Sequence, residues 1–447
     1  MNAVQAVATK SIPTSPPPLS PLAAGASVPL AFIGVGMAGA VLGTVCLVRS
    51  PGVLALPHVH PQVLAWTHLW LLGCLLTVCA GAIYQLLPVL ANAAFRGQRL
   101  AWVHFAVHLA GVAAMVAAFE RSDMKWVGIG GIAVSVGVVL MAHHVVKMLR
   151  EATRMDPVLA AFGLATAWLL LTVTIGVLLA GNLHVGWWSV DVLAVLRAHA
   201  HMGVVGFFVT LIQGAMFRLV PMFTMGQAGA LRRVGWAIAV SQGALIVAAV
   251  SLGLELAAGR VIAVLLFAIA FGLTALELRR VWRTRKKQHA EPGIRGFLVG
   301  LGWFVIALAG GGALAFGAGD WRSALAYGVI AVLGGVLMSV EGFLCKIVPF
   351  LVWMRVYGPR MGRQVTPQAA TLGNARAEAA WVWVHASAVA LLGVGAALGN
   401  ETWLSAGAWV FALGQGLLFA SLLKSASHLW RPVQGQPLAR RVFEVKS

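Results

Sequence analysis

Twelve stretches of about 20 or more apolar residues recur along this chain, each long enough to cross a hydrocarbon core of ~30 Å as a helix. They fall at about 28–48, 62–91, 100–119, 127–149, 158–181, 192–222, 234–257, 260–279, 297–318, 323–353, 381–399 and 402–425. Within a bilayer the backbone must satisfy its own hydrogen bonds, and a helix does so inside a single segment. The composition leaves little else: 60% of the 447 residues are hydrophobic and 10% charged, where soluble domains carry roughly a quarter charged. Fifty-one glycines supply the bare surfaces that let helices approach closely in lipid. The expected fold is an all-α membrane protein with about twelve transmembrane helices, forming one domain over 28–425.

The net charge of +19 resides mainly in loops and tails. The connection after each even-numbered span is basic: Arg96 and Arg99; Lys147, Arg150 and Arg154; Arg232 and Arg233; Arg279 to Lys287; Arg355 to Arg376; and the C-terminal tail. The connections after odd spans are short and near neutral. The positive-inside rule then puts both termini in the cytoplasm of a multi-pass protein of the bacterial inner membrane. Charge placed this way orients helices, so the expected partner is the lipid bilayer and nucleic acid is not expected. Residues 1–27 are Pro/Ser-rich and read as a disordered cytoplasmic tail, without a charged segment leading into a cleavable apolar stretch. Residues 426–447 read as a second cytoplasmic tail. The four cysteines lie in apolar stretches without a C-x-x-C pair, so neither a disulfide framework nor a thiolate zinc site is indicated.

Three spans end in one phrase: Gly81-Ala-Ile-Tyr-Gln-Leu-Leu-Pro88, Gly214-Ala-Met-Phe-Arg-Leu-Val-Pro221 and Gly342-Phe-Leu-Cys-Lys-Ile-Val-Pro349. Gly73, Gly206 and Gly334 keep the same register upstream. Trp102-Val-His104 and Trp383-Val-His385 open the third and eleventh spans alike. The chain therefore reads as three pseudo-symmetric four-helix units, at about 28–150, 158–285 and 297–425, with the second helix of each specialised.

Histidines carry the functional signal. His68 and His201 are repeat-equivalent, each 20 residues before the shared proline, hence near the outer face, about 30 Å from it along the helix. Tyr327 and Val329 stand where the second unit has His199 and His201. Two residues apart on a helix, His199 and His201 point about 200° away from one another, so two different groups can each take one. His60 and His68 either face one pocket at two depths, or one of them is an ordinary helix-end residue. Ionisable groups within spans are functional candidates, although a histidine can also serve as a hydrogen-bonding contact between helices. His143 and His144 form a possible metal pair, or a plain polar boundary beside Lys147 and Arg150. Gln85, Arg218 and Lys346 share a register and are expected to snorkel toward the interface. Glu341 and Lys346 could begin a proton path, or simply form a local ion pair.

These features resemble heme-copper oxidase subunit I, in particular its C-type cytochrome c oxidase and nitric-oxide reductase branches. The motif His199-Ala-His-Met-Gly-Val-Val-Gly-Phe-Phe, running to Pro221, is similar to that family's heme-ligating span. The resemblance implies heme b, with His199 as a ligand at an open site and His201 as one axial ligand of a low-spin heme, opposite His60 or His68. It implies electron transfer or oxygen or nitric-oxide chemistry, with a cytochrome or other redox subunit as partner. The motif lies in the sixth span, the tenth lacks the histidines, and the seventh lacks the adjacent histidine pair that helps hold copper in the oxidases. A full binuclear ligand set is not assembled, so copper and an oxidoreductase activity do not follow. The alternatives are a non-catalytic protein that transports or assembles heme or copper, and a purely structural subunit.

Overall fold

The computed structural model describes residues 26–433. Among the described residues there are twelve membrane-spanning helices: α1 Ser27–Arg49, α2 Pro61–Ala91, α3 Gln98–Glu120, α4 Met124–Glu151, α5 Pro157–Val185, α6 Val192–Thr224, α7 Leu231–Gly253, α8 Ala257–Arg283, α9 Pro292–Ala315, α10 Trp321–Val356, α11 Ala375–Leu398 and α12 Glu401–Ser427. The tails expected at 1–27 and 426–447 lie largely outside the described residues. Among the described residues there is no β-strand. The protein is an all-α, multi-pass membrane protein in contact with the bilayer.

Local chemistry places many helix ends. Asp123, Asp156, Asp191, Asp320, Asn374 and Asn400 cap α4, α5, α6, α10, α11 and α12, accepting first-turn backbone N–H groups that would otherwise go unpaired. Proline opens α2, α5 and α9, where its missing N–H costs nothing. Some helices outrun their apolar stretches. α8 continues to Arg283, its arginines complementing the negative end of the helix dipole, and α9 begins at Pro292.

The four helices of each unit are joined in sequence, and the units close into a ring through α4 against α5, α8 against α9, and α12 against α1. The helices α2, α6 and α10 occupy the centre and are the most buried. Where α1 meets α2 there is no room for a side chain: a β-carbon on Gly39 would lie 2.5 Å from the Gly73 carbonyl oxygen.

The three central helices share a feature absent from the apolar pattern. Each loosens into π-helical pairing over eight residues, at Leu69–Leu76, Met202–Val209 and Ile330–Leu337, in the same repeat register. Such widenings are rare and frequently found at functional sites. The fourth residue of each carries a carbonyl that takes a side-chain donor. The Leu72 oxygen accepts from Thr77 Oγ1 at 2.8 Å and from His108 Nε2 at 3.3 Å. The Val205 oxygen accepts from Thr210 Oγ1 at 3.2 Å, and Gln242 Nε2 donates to that hydroxyl at 3.0 Å. The Leu333 oxygen accepts from His385 Nε2 at 3.0 Å.

His385 is thus the counterpart of His108. The similar Trp-Val-His phrases pair it with His104, whose Nδ1 instead hydrogen-bonds with the Tyr84 hydroxyl at 3.0 Å. At the opposite ends of the central helices, Arg218 and Lys346 do more than snorkel. Arg218 pairs with Asp156, the cap of α5, and Lys346 with Glu291, just before α9. Lys346 is therefore not the partner of Glu341, which accepts from Gln415 Nε2 at 2.8 Å and lies 3.3 Å from His385 Nδ1. In each case an acid at a neighbouring helix start offers a closer partner than water.

Candidate functional site

A cavity of about 840 Å³ opens among the central helices and extends between α7, α8 and α9. That volume is within the ~300–1,000 Å³ typical of cofactor pockets. Its lining includes His68 from α2, His199 and His201 from α6, and Tyr327 from α10. Arg197, Arg260, His58 and Asp320 line it near the face formed by the short, near-neutral loops.

All three histidines are held alike. His68 Nδ1 donates to the Leu64 carbonyl at 2.7 Å, and His201 Nδ1 to the Arg197 carbonyl at 2.8 Å, each four residues back in its own helix. His199 Nδ1 donates to the Thr172 carbonyl of α5 at 3.1 Å. With Nδ1 protonated, Nε2 keeps its lone pair. This is the usual preparation of a metal-binding imidazole, whose second nitrogen is oriented by a carbonyl or carboxylate. The His68 ring stacks on Phe119 with centroids 4.7 Å apart. His199 lies against Gly176, where a β-carbon would come within 3.0 Å of its ring. His201 points to the other side of α6, and its Nε2 is 3.2 Å from the Tyr327 hydroxyl.

The remaining histidines separate from this set. His60 caps α2, its Nδ1 accepting the Gln62 N–H at 3.3 Å, and it does not line the cavity. His143 is exposed, whereas His144 is buried against Tyr84 and Phe95, with ring centroids 4.9 and 5.0 Å away. Adjacent residues on a helix do not face one another, so these two do not form a pair. Among the described residues, no group of three or more His, Cys, Asp or Glu side chains is placed to hold a metal ion.

The charged groups of the site collect at one end. Arg197 lies 3.8 Å from Glu255, and the buried Nε of Arg260 has no partner among the described residues. Desolvation, reinforced by the positive charge of Arg197, holds the His58 imidazole below its ordinary value of 6.5. Sequence reading did not single out Arg197, His58 or the role of Tyr327. Repeat alignment does mark Tyr327, which stands where α6 has His199 and α2 has Trp66. Arg197 carries a weaker signal, four residues before His201. No protein-family model matches this sequence, and no curated protein matches it.

Proposed function

We propose that the protein binds heme b in the cavity, between α2 and α6. The observation that supports this most directly is the common preparation of His68, His199 and His201. Each gives its Nδ1 proton to a backbone carbonyl, and each lines the same space. His201 must release the Tyr327 hydroxyl before its Nε2 can ligate, whereas among the described residues no group is bonded to Nε2 of His68 or His199. That difference favours His68 and His199 as the axial pair and His201 as a reserve ligand. Arg197 and Arg260 would neutralise the carboxylates of the heme, and the apolar walls would keep water from the iron.

Bound heme supplies one-electron chemistry and, where an axial position is open, small-gas binding. Two histidine ligands would close both positions, which suits electron transfer. The positive-inside rule puts the histidine end of the cavity on the outer side of a bacterial inner membrane, with both termini cytoplasmic. A cytochrome or other redox subunit would then exchange electrons there. A carrier of heme or copper would need a polar path from these histidines to His143 and His144; neither lines the cavity, and His144 is enclosed by aromatic rings. A purely structural subunit would be packed where the cavity stands.

The test is a reduced-minus-oxidised visible spectrum of detergent-purified protein, with a pyridine hemochrome assay, for wild type and single alanine variants of His60, His68, His199 and His201. A b-type signal lost in His68→Ala and His199→Ala and kept in His60→Ala supports the reading. Folded wild-type protein that takes up no heme, even from added hemin, overturns it.

A further inference from the structure

Two arginines, one at the start of α7 and one near the end of α8, are organised by a single buried acid. Glu277 of α8 is only 2% exposed. Its carboxylate accepts from Arg233 Nε at 2.6 Å and Nη2 at 3.2 Å, and from Arg280 Nη1 at 3.0 Å. The Ala230 N–H adds a fourth bond at 2.8 Å. The loop between α6 and α7 is tied to the same corner. Gln227 N–H donates to Thr284 Oγ1 at 3.0 Å, and Lys287 N–H to the Thr224 carbonyl at 3.3 Å. Orienting a helix needs positive charge on this face, but it does not need two guanidinium groups fixed to one carboxylate.

The clamp holds the arginines from beneath and leaves them open above. The Arg233 and Arg280 side chains are 51% and 55% exposed. Most of their N–H donors stay unbonded among the described residues. Arg232, beside Arg233, and Arg283, one turn beyond Arg280, are exposed and make no ion pair among the described residues. One carboxylate therefore stands against four guanidinium groups, and groups already ordered lose little freedom when an anion binds.

The neighbouring surface says what carries that anion. Ile262, Leu265, Ile269 and Leu276 are exposed on α8, at spacings that put them on one face, and Arg280 and Arg283 continue it. From Arg280 back to Ile269 is about 16 Å along the helix, close to the ~15 Å of hydrocarbon in one leaflet. Trp236, exposed on α7 one turn beyond Arg232 and Arg233, marks the headgroup level. An anion here thus sits at the head of an apolar, lipid-facing stripe. A zwitterionic headgroup would bring a cation of its own against the arginines, whereas an anionic one would not.

We propose that this corner binds an anionic phospholipid, with its phosphate on Arg233, Arg280 and Arg283 and an acyl chain along the Ile269–Leu276 face of α8. The site is separate from the histidines and does not depend on heme.

The test titrates the full-length protein in detergent, without added hemin, with dioleoyl phosphatidylglycerol or dioleoyl phosphatidylcholine, and counts bound lipid by native mass spectrometry. The two lipids share acyl chains and phosphate and differ in net charge. Wild type should bind phosphatidylglycerol at least about 5-fold more tightly, and the double variant Arg280→Gln, Arg283→Gln should weaken that binding by about 10-fold. Lys147→Gln with Arg150→Gln removes the same charge from the connection after α4 and should leave the affinity as in wild type. Equal affinity for the two lipids in wild type, or equal losses in the two double variants, overturns the proposal. If the α8 double variant does not fold, Arg283→Gln alone decides. Its side chain makes no ion pair to lose, so an unchanged lipid preference there also overturns the proposal.

Discussion

The Tyr327 hydroxyl donates to Nε2 of His201 across 3.2 Å, and the two rings stack with an interplanar angle of 21°. The direction follows from the other nitrogen: His201 Nδ1 donates to the Arg197 carbonyl, so Nε2 is the acceptor. One hydrogen bond thus ties the second unit to the third and occupies one of the three imidazoles that line the cavity.

Removing that hydroxyl should release His201. Tyr327→Phe is expected to cost about 0.5–1.5 kcal/mol of stability, the net worth of a typical hydrogen bond, read as a lower unfolding midpoint. In the heme reading it also frees a competing ligand. Tyr327→Phe should then restore part of the b-type signal lost in His199→Ala. No recovery in the double variant argues against His201 as a reserve ligand.

His60 and His68 should behave as different kinds of residue. His60→Ala removes a helix cap, an effect on the order of 0.5–2 kcal/mol, and should leave hemin binding as in wild type. His68→Ala should abolish the bound-heme spectrum while the helical circular dichroism persists. A titration with hemin separates the two. Loss of binding in His60→Ala would place the heme nearer the start of α2 than the cavity allows.

The π-helical carbonyls predict which buried polar residues matter for folding. His108→Leu leaves the Leu72 oxygen with Thr77 alone, and Thr77→Val leaves it with His108 alone. Each should be tolerated better than the double variant, which strands a buried carbonyl at a cost of about 1–3 kcal/mol. Thermal unfolding of the three variants in detergent tests the coupling. Strict additivity would mean that the carbonyl is satisfied in some other way.

Gly39 should be among the least replaceable residues. A β-carbon there would stand 2.5 Å from the Gly73 carbonyl oxygen, and the obstacle is backbone that cannot rotate aside. Gly39→Val should force α1 away from α2 and lower the yield of folded protein. Gly34, with nothing among the described residues within 4 Å of its would-be β-carbon, provides the control. Gly34→Ala should purify as wild type does.

His58 should make a measurable contribution to pH dependence. Desolvation and Arg197 hold its imidazole below 6.5 in the folded protein, while the unfolded chain titrates near 6.5. Between the folded value and 6.5 the unfolded chain carries more protons, so stability rises with pH through that interval and this group adds nothing above it. His58→Gln should flatten the acid side of a plot of unfolding midpoint against pH. An unchanged slope would mean that His58 titrates alike in both states.

Much of the architecture was legible because its causes are local. The shared phrase closing on Pro88, Pro221 and Pro349 marked the three central helices, and the twelve apolar stretches gave the number of spans. The π-helical stretches left a trace that was open to reading: Gly73, Gly206 and Gly334 share a register, and Thr77 and Thr210 follow at a constant interval. The site was only half legible. Repeat equivalence singled out His68 and His201, and the geometry of one helix turned His199 and His201 apart. The eightfold spacing of His60 and His68 left open whether His60 joined them. In the structure His60 is the cap of α2, bonded to the Gln62 N–H, and it does not line the cavity.

The sequence by itself determined that this chain is a bundle of twelve membrane-crossing helices in three related units. Length and apolarity act on each segment separately, and a repeat is visible wherever it is written. Only the tertiary structure decided that His199 leans on Thr172 and that Tyr327 caps His201. Those contacts depend on the rotation and depth of one helix against another. Packing sets these jointly for many side chains, and no single segment encodes them.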